Sequence, residues 1–182
     1  RGPTRYLSKS ELKRLLHACR KSESYHLHAV VILALSTGAR KNEILSLKWR
    51  SINFKRQTIT IEESKNGESR TIPVQGLAYN ILNTKRDFDE SESDYVFYSD
   101  NKDQPCCIRS GWRFAVKKAN LEDFRFHDLR HTAASYFAMN GATLIDIAEI
   151  LGHKTIQMTQ RYAHLHIDHT KKVMADMNNK MF

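Results

Sequence analysis

Apolar residues fall into two rhythms along this chain, and the change between them divides it. Leu12, Leu15, Leu16 and Cys19 repeat at helical spacing. Ser8 and Glu11 stand at capping-box distance just before them, so a helix begins near Ser8 and runs to Arg20. The run Ala29-Val30-Val31-Ile32-Leu33-Ala34-Leu35 is apolar on nearly every side and predicts a buried central helix over Tyr25 to Ser36. Thr37-Gly38 ends it, with Gly38 as a left-handed cap. Ile44, Leu45 and Leu47 mark a short third helix, from about Lys41 to Trp49.

The period then drops to two. Ile52/Phe54, Ile59/Ile61 and Ile72/Val74 alternate with polar residues, as strands do, and Asn66-Gly67 is a hairpin turn signal. These predict a small three-stranded antiparallel sheet with Lys65 at its second turn. Helical spacing returns at Gly76 to Asp87. An exposed acidic loop is expected over Phe88 to Asp94, a short apolar strand or extended stretch over Tyr95 to Tyr98, and a turn over Asn101 to Pro105. Trp112, Ala115, Val116 and Ala119 predict a helix from about Ile108 to Asn120. Its Arg109, Arg113, Lys117 and Lys118 make a basic face, either solvated or set against a DNA backbone. Further helices are expected from Asp128 to Asn140-Gly141, from Thr143 through Leu151, from Thr155 through Tyr162 and Leu165, and over 168–182. The pattern is that of a mainly helical α+β fold in a single domain, 1–182.

Charge narrows the function. The chain has 182 residues and a formal net charge of +9. The excess is spread along the sequence rather than gathered in a tail, which points to a folded surface that meets a polyanion such as DNA or RNA. Cys19, Cys106 and Cys107 are odd in number and two are adjacent, a poor disulfide framework. A reducing, cytoplasmic compartment is expected. No run approaches about 18 apolar residues, so no membrane span is expected. The first residue is Arg1 rather than Met, so a piece of a longer protein is expected.

The chemistry concentrates between Phe126 and Tyr162. His127 and Arg130 are three apart at a helix start and share a face. His153 follows Gly152 at a helix break, and Tyr162 lies further on. Arginines, histidines and a tyrosine with few acids suit a tetrahedral, multiply charged anion. Upstream, Arg40 sits at a helix corner and Lys65 at a hairpin. Each residue alone has a plainer reading: a surface arginine, a turn lysine, a core tyrosine. His127 and His131 are one turn apart, a spacing that zinc can use, with His164, His166 and His169 nearby. No cysteine or carboxylate constellation supports that reading, and the arginines oppose a cation, so no metal and no cofactor are expected.

Four stretches together resemble the tyrosine recombinases, the phage-integrase-like family. They are Thr37-Gly38-Ala39-Arg40-Lys41-Asn42-Glu43-Ile44, His127-Asp128-Leu129-Arg130-His131-Thr132, Leu151-Gly152-His153 and Thr159-Gln160-Arg161-Tyr162-Ala163-His164. Ser64-Lys65-Asn66-Gly67 is similar to the family's hairpin lysine, on a shorter match. The resemblance implies that Tyr162 attacks a phosphodiester of double-stranded DNA, giving a 3′-phosphotyrosyl link and a free 5′-hydroxyl. Arg40 and Arg130 would bind the non-bridging oxygens with fork geometry, and His153 would add a donor. Lys65 would protonate the leaving 5′-oxygen, and His127 would assist proton transfer at the tyrosine. Arg161, His131 and His164 would take supporting or structural roles. Site-specific recombination by a homo-oligomer, a tetramer on DNA when full length, would follow. The fragment alone would be monomeric and would lack the family's N-terminal DNA-binding domain. The stripe Val173, Met174, Met177 and Met181 would pack on a neighbouring protomer or on its own domain. A type IB topoisomerase-like enzyme and a non-catalytic DNA-binding module are the alternatives.

Overall fold

The computed structural model describes residues 5–62 and 69–181. Ser8 accepts a hydrogen bond from the Glu11 backbone N–H, and the Glu11 carboxylate accepts one from the Ser8 N–H. This reciprocal cap starts α1 (Lys9–Arg20). The apolar run forms α2 (Leu27–Thr37), buried along most of its length, and Gly38 ends it at φ 64°. The helix starts later than its periodicity suggests, because His26 is drawn into a turn. Its ring lies between Phe97 and Tyr98, with Nε2 3.1 Å from the Tyr98 carbonyl.

The third helix is shorter than expected: α3 spans Lys41–Leu45 only. Ser46 caps it, the chain extends at Lys48 to bridge Tyr95, and Trp49–Ser51 is a single 3-10 turn. The sheet is antiparallel in order β1 (Ile52–Asn53), β2 (Thr58–Glu62), β3 (Ser69–Pro73). Ile59 faces Ile72 and Ile61 faces Arg70. The buried isoleucines thus share one face with an arginine. The Asn66-Gly67 turn and Lys65 lie outside the described residues.

Helix α4 (Gly76–Asp87) has its predicted bounds. The acidic stretch after it is not simply exposed. Asp89 accepts the Trp49 indole N–H at 3.1 Å, and Ser91 is buried. The stretch Tyr95–Tyr98 is not a continuous strand: Tyr95 and Tyr98 form isolated bridges to Lys48 and Pro105, and the chain bends at fully buried Val96 and Phe97 between them. Then come α5 (Arg109–Lys118), α6 (Asp128–Met139), α7 (Leu144–Leu151) and α8 (Ile167–Met181). The helix predicted from Thr155 is instead two 3-10 segments, Ile156–Met158 and Gln160–His166. Thr155 makes no side-chain cap, and Thr159 and Tyr162 bond to carbonyls three residues back. Those i→i+3 bonds keep the segment tightly wound.

Helix α2 lies between α1, α4 and α6, and α1 packs on α5. The segment before α1 is tied to α6 from two sides. The Leu7 N–H donates to Thr132 Oγ1 at 3.2 Å, and the Tyr136 hydroxyl donates to the Leu7 carbonyl at 3.0 Å. A large core surrounds α2. A second, small cluster gathers Ala134, Ala138, Ile147, Leu151 and Tyr162 between α6, α7 and the second 3-10 segment. Among the described residues no helix is long and apolar enough to cross a membrane.

Candidate active site

Arg40 occupies the corner between α2 and α3, as its sequence position suggests. Its backbone is extended, and its N–H donates to Glu43 Oε2 at 2.7 Å, which starts α3. Its guanidinium donates to Glu43 Oε1 at 2.8 Å. Arg70, from β3, grips the same carboxylate with both Nη atoms, at 3.1 and 2.7 Å. Burial works to raise the Glu43 carboxyl, but hydrogen bonds and charge from Arg70 and Arg40 outweigh it and hold the group below its usual range. Neither Glu43 nor Arg70 was singled out by sequence reasoning. A signal existed for both. Glu43 stands at the third position of a short helix, and Arg70 is two residues before inward-facing Ile72 on a strand.

Arg130 is turned into the protein, 5% exposed. Nη1 donates to the Gly38 carbonyl at 2.8 Å and Nη2 to the Leu151 carbonyl at 2.6 Å. Those carbonyls lie at the C-terminal ends of α2 and α7, where the helix dipoles favour a cation. Arg40 follows Gly38 by two residues, and His153 follows Leu151 by two. One guanidinium therefore fastens both corners that carry these side chains. Burial, then the charge of Arg40, pulls its pKa down to about 10, which leaves it protonated at neutral pH. Close packing requires glycine at each corner. Gly152 has φ 66°, and a Cβ there would meet Arg70 Cδ at 2.9 Å. A Cβ on Gly38 would meet Leu151 Cδ2 at 2.3 Å.

His153 Nδ1 lies 2.7 Å from the hydroxyl of fully buried Thr159. Burial, then Arg130 and Arg40, lowers the imidazole pKa to about 4, so the ring is neutral at pH 7. With the hydroxyl donating to Nδ1, Nε2 carries the proton and becomes a donor. The Tyr162 hydroxyl lies 2.6 Å from Nδ1 of His131. Burial raises the phenol pKa, and Arg161 and Arg130 pull it back in part. His127 is the residue before α6, and its ring meets that of His131 edge-on at 5.3 Å between centroids.

A groove of about 1070 Å³ opens beside these residues, lined by Arg40, Lys41, Lys48, Arg50, His127 and Lys154, with Glu43 and Glu62. That volume is at the upper end for small-molecule pockets, and five lysines and arginines against two glutamates give its lining a positive excess, which suits a polyanion. The structure thus brings Arg40, Arg130 and His153 into mutual electrostatic range, Arg130 within range of Tyr162, and His127 to the same groove wall as Arg40. Among the described residues, no group of three or more histidine, cysteine, aspartate or glutamate side chains could hold a metal ion.

Residues 5–169 match the family model described as the phage integrase family. The integrase of Salmonella phage P22 is 34% identical over 179 residues, covering 91% of this chain and 45% of that protein. The shufflon-specific DNA recombinase of Escherichia coli is 34% identical over 166 residues, covering 90% and 41%. The chain spans less than half the length of these curated relatives. Among solved structures, the catalytic domain of bacteriophage HP1 integrase superposes with a TM-score of 0.76 at 30% identity and covers 93% of each chain.

Proposed function

The chain belongs to the phage integrase family, and from that premise we propose that it is the catalytic domain of a site-specific DNA recombinase. Tyr162 attacks a phosphodiester, forms a 3′-phosphotyrosyl link and releases a 5′-hydroxyl. The ester retains the energy of the broken bond, so rejoining needs no nucleotide cofactor. The observation that carries this reading is the double anchorage of Arg130 on Gly38 and Leu151. It preorganises Arg40 and His153 around one point, as stabilisation of a pentavalent phosphorus requires.

In this reading Arg40 and Arg130 hold the non-bridging oxygens and neutral His153 donates from Nε2. His127 serves proton transfer from the groove wall, and Lys65 is the acid for the leaving oxygen. Double-stranded DNA lies along the basic groove and meets a further DNA-binding domain of the full-length protein. Four protomers act together on two duplexes. Support for the assembly comes from α8, where Val173, Met174, Met177 and Met181 are 51, 56, 49 and 69% exposed. A second copy of the chain would cover that stripe. The test is a nicked duplex carrying the parent protein's recombination site, denatured after incubation. A covalent adduct is expected, and one that persisted in Tyr162→Phe would remove Tyr162 as the nucleophile. Relaxation of supercoiled DNA without recombination would favour the topoisomerase-like alternative.

A further inference from the structure

We propose that His131 takes the phenolic proton of Tyr162 as the tyrosine attacks, and returns it during religation. This rests on the recombinase reading above. The contact is direct, 2.6 Å from Nδ1 to Oη, and short for a neutral pair. A phenol O–H is a better donor than an imidazole N–H. An unprotonated imidazole nitrogen is a far better acceptor than a phenolic oxygen. The bond therefore runs O–H···Nδ1, with the histidine proton on Nε2. Apart from this partner, the tyrosine packs in the small cluster of Ala134, Ala138, Ile147 and Leu151.

The groups facing His131 come from three elements. Asp128 and Arg130 lie on its own helix with His127 just before it, Arg161 and Tyr162 on the second 3-10 segment, and His153 beyond α7. Burial, then His127 and Arg161, keeps the ring neutral and able to accept a proton at pH 7. So weak a base does not strip a resting phenol. Attack changes that balance. As the Oη–P bond forms, the phenolic oxygen loses its own basicity, and negative charge grows on the phosphoryl oxygens near the imidazole. In the cleavage step Oη–P forms and P–O5′ breaks. The phenol proton passes to His131 Nδ1, and a separate acid protonates O5′. In religation the 5′-hydroxyl gives its proton back to that separate group as O5′–P forms, Oη–P breaks, and His131 returns its proton to the departing Oη. His127, edge-on to His131, then acts on His131 or on the phosphate rather than on the phenol.

The test uses the full-length parent protein and a nicked duplex bearing its site, read as single-turnover adduct formation. His131→Gln keeps a hydrogen-bond acceptor but cannot carry the proton. A loss of about 10²–10³-fold is expected, within the range of general acid–base catalysis. The residual rate should rise about tenfold per pH unit from pH 7 to 9, because phenol ionisation must now precede attack. A 5′-bridging phosphorothiolate, whose sulfur leaves without an acid, should not restore the variant. Near-normal cleavage by His131→Gln, or rescue by the phosphorothiolate, would overturn the inference while leaving the recombinase reading intact. No adduct in the unsubstituted protein would remove that reading and this inference together. A second measurement needs no DNA. Nitrogen-15 NMR of the intact chain should show His131 unprotonated at Nδ1 and protonated at Nε2. The opposite tautomer would overturn the assignment whatever the variants do.

Discussion

Glu43 Oε2 lies 2.7 Å from Nη2 of Arg70, and the same carboxylate holds Arg40 through Oε1 at 2.8 Å. One anion aligns two cations, and the Glu43 and Arg70 side chains are 11 and 13% exposed. Glu43→Gln keeps the shape and removes the charge. It leaves two guanidinium groups facing each other, so a loss of about 3 kcal/mol in unfolding free energy is expected, measured by urea denaturation. Adduct formation should fall as well, because Arg40 loses its alignment.

Arg130 makes a second, separable prediction. Arg130→Lys retains the charge but replaces a fork by a point donor, which reaches one carbonyl where two are held. A loss of about 1–3 kcal/mol is expected, and Arg130→Ala should lose more, since both carbonyls lose a charged donor. Equal stability of the lysine variant and the parent chain in denaturant melts would contradict this account of the two corners.

Acid should loosen the fold through its neutral histidines. His26, His131 and His153 each have a pKa of about 4 in the folded chain, in every case chiefly through burial, against an ordinary value of about 6.5. Between those values the unfolded chain binds more protons than the folded one, so stability rises with pH there. It should be fully present above about pH 6.5 and decline continuously toward pH 4. Thermal melts at pH 7 and pH 5 check this, and the slope should shrink in His26→Gln, which lies far from the candidate site.

Gly152→Ala tests the crowding behind the site. The substitution forces a left-handed backbone on alanine, which costs about 1–2 kcal/mol. It also pushes a methyl group to 2.9 Å from Arg70 Cδ. Lower stability together with slower cleavage is expected, because Arg70 shares Glu43 with Arg40.

The last helix yields the opposite pattern. Truncation of the full-length protein after Asp168 removes the stripe of Val173, Met174, Met177 and Met181, which lies open on the monomer. The melting temperature should change little, whereas assembly on DNA, followed by native gel or sedimentation, should weaken. Unaltered assembly would exclude α8 as an inter-protomer contact.

Most of the fold was legible because its signals are local. The Ser8/Glu11 cap and the αL glycine 38 act within a few residues and survive any tertiary context. Arg40, Arg130, His153 and Tyr162 were legible as members of recurring stretches. What escaped was set by distance. The Thr155–Leu165 segment has helical spacing, yet Thr159 and Tyr162 are drawn to His153 and His131, and the backbone winds to 3-10 to meet both. Glu43 with Arg70 spans 27 residues, and no periodicity couples them.

Because Arg130 is at once a fastener of two helices and the proposed phosphate ligand, selection cannot act on one role alone. A drift to lysine would lower the amount of folded enzyme in the cell before any change in turnover could be scored. Genetic screens would therefore report position 130 as intolerant even in a lineage that had abandoned recombination. A decayed, DNA-binding-only descendant would be recognised by changes at Tyr162 or His131, with Arg130 still in place.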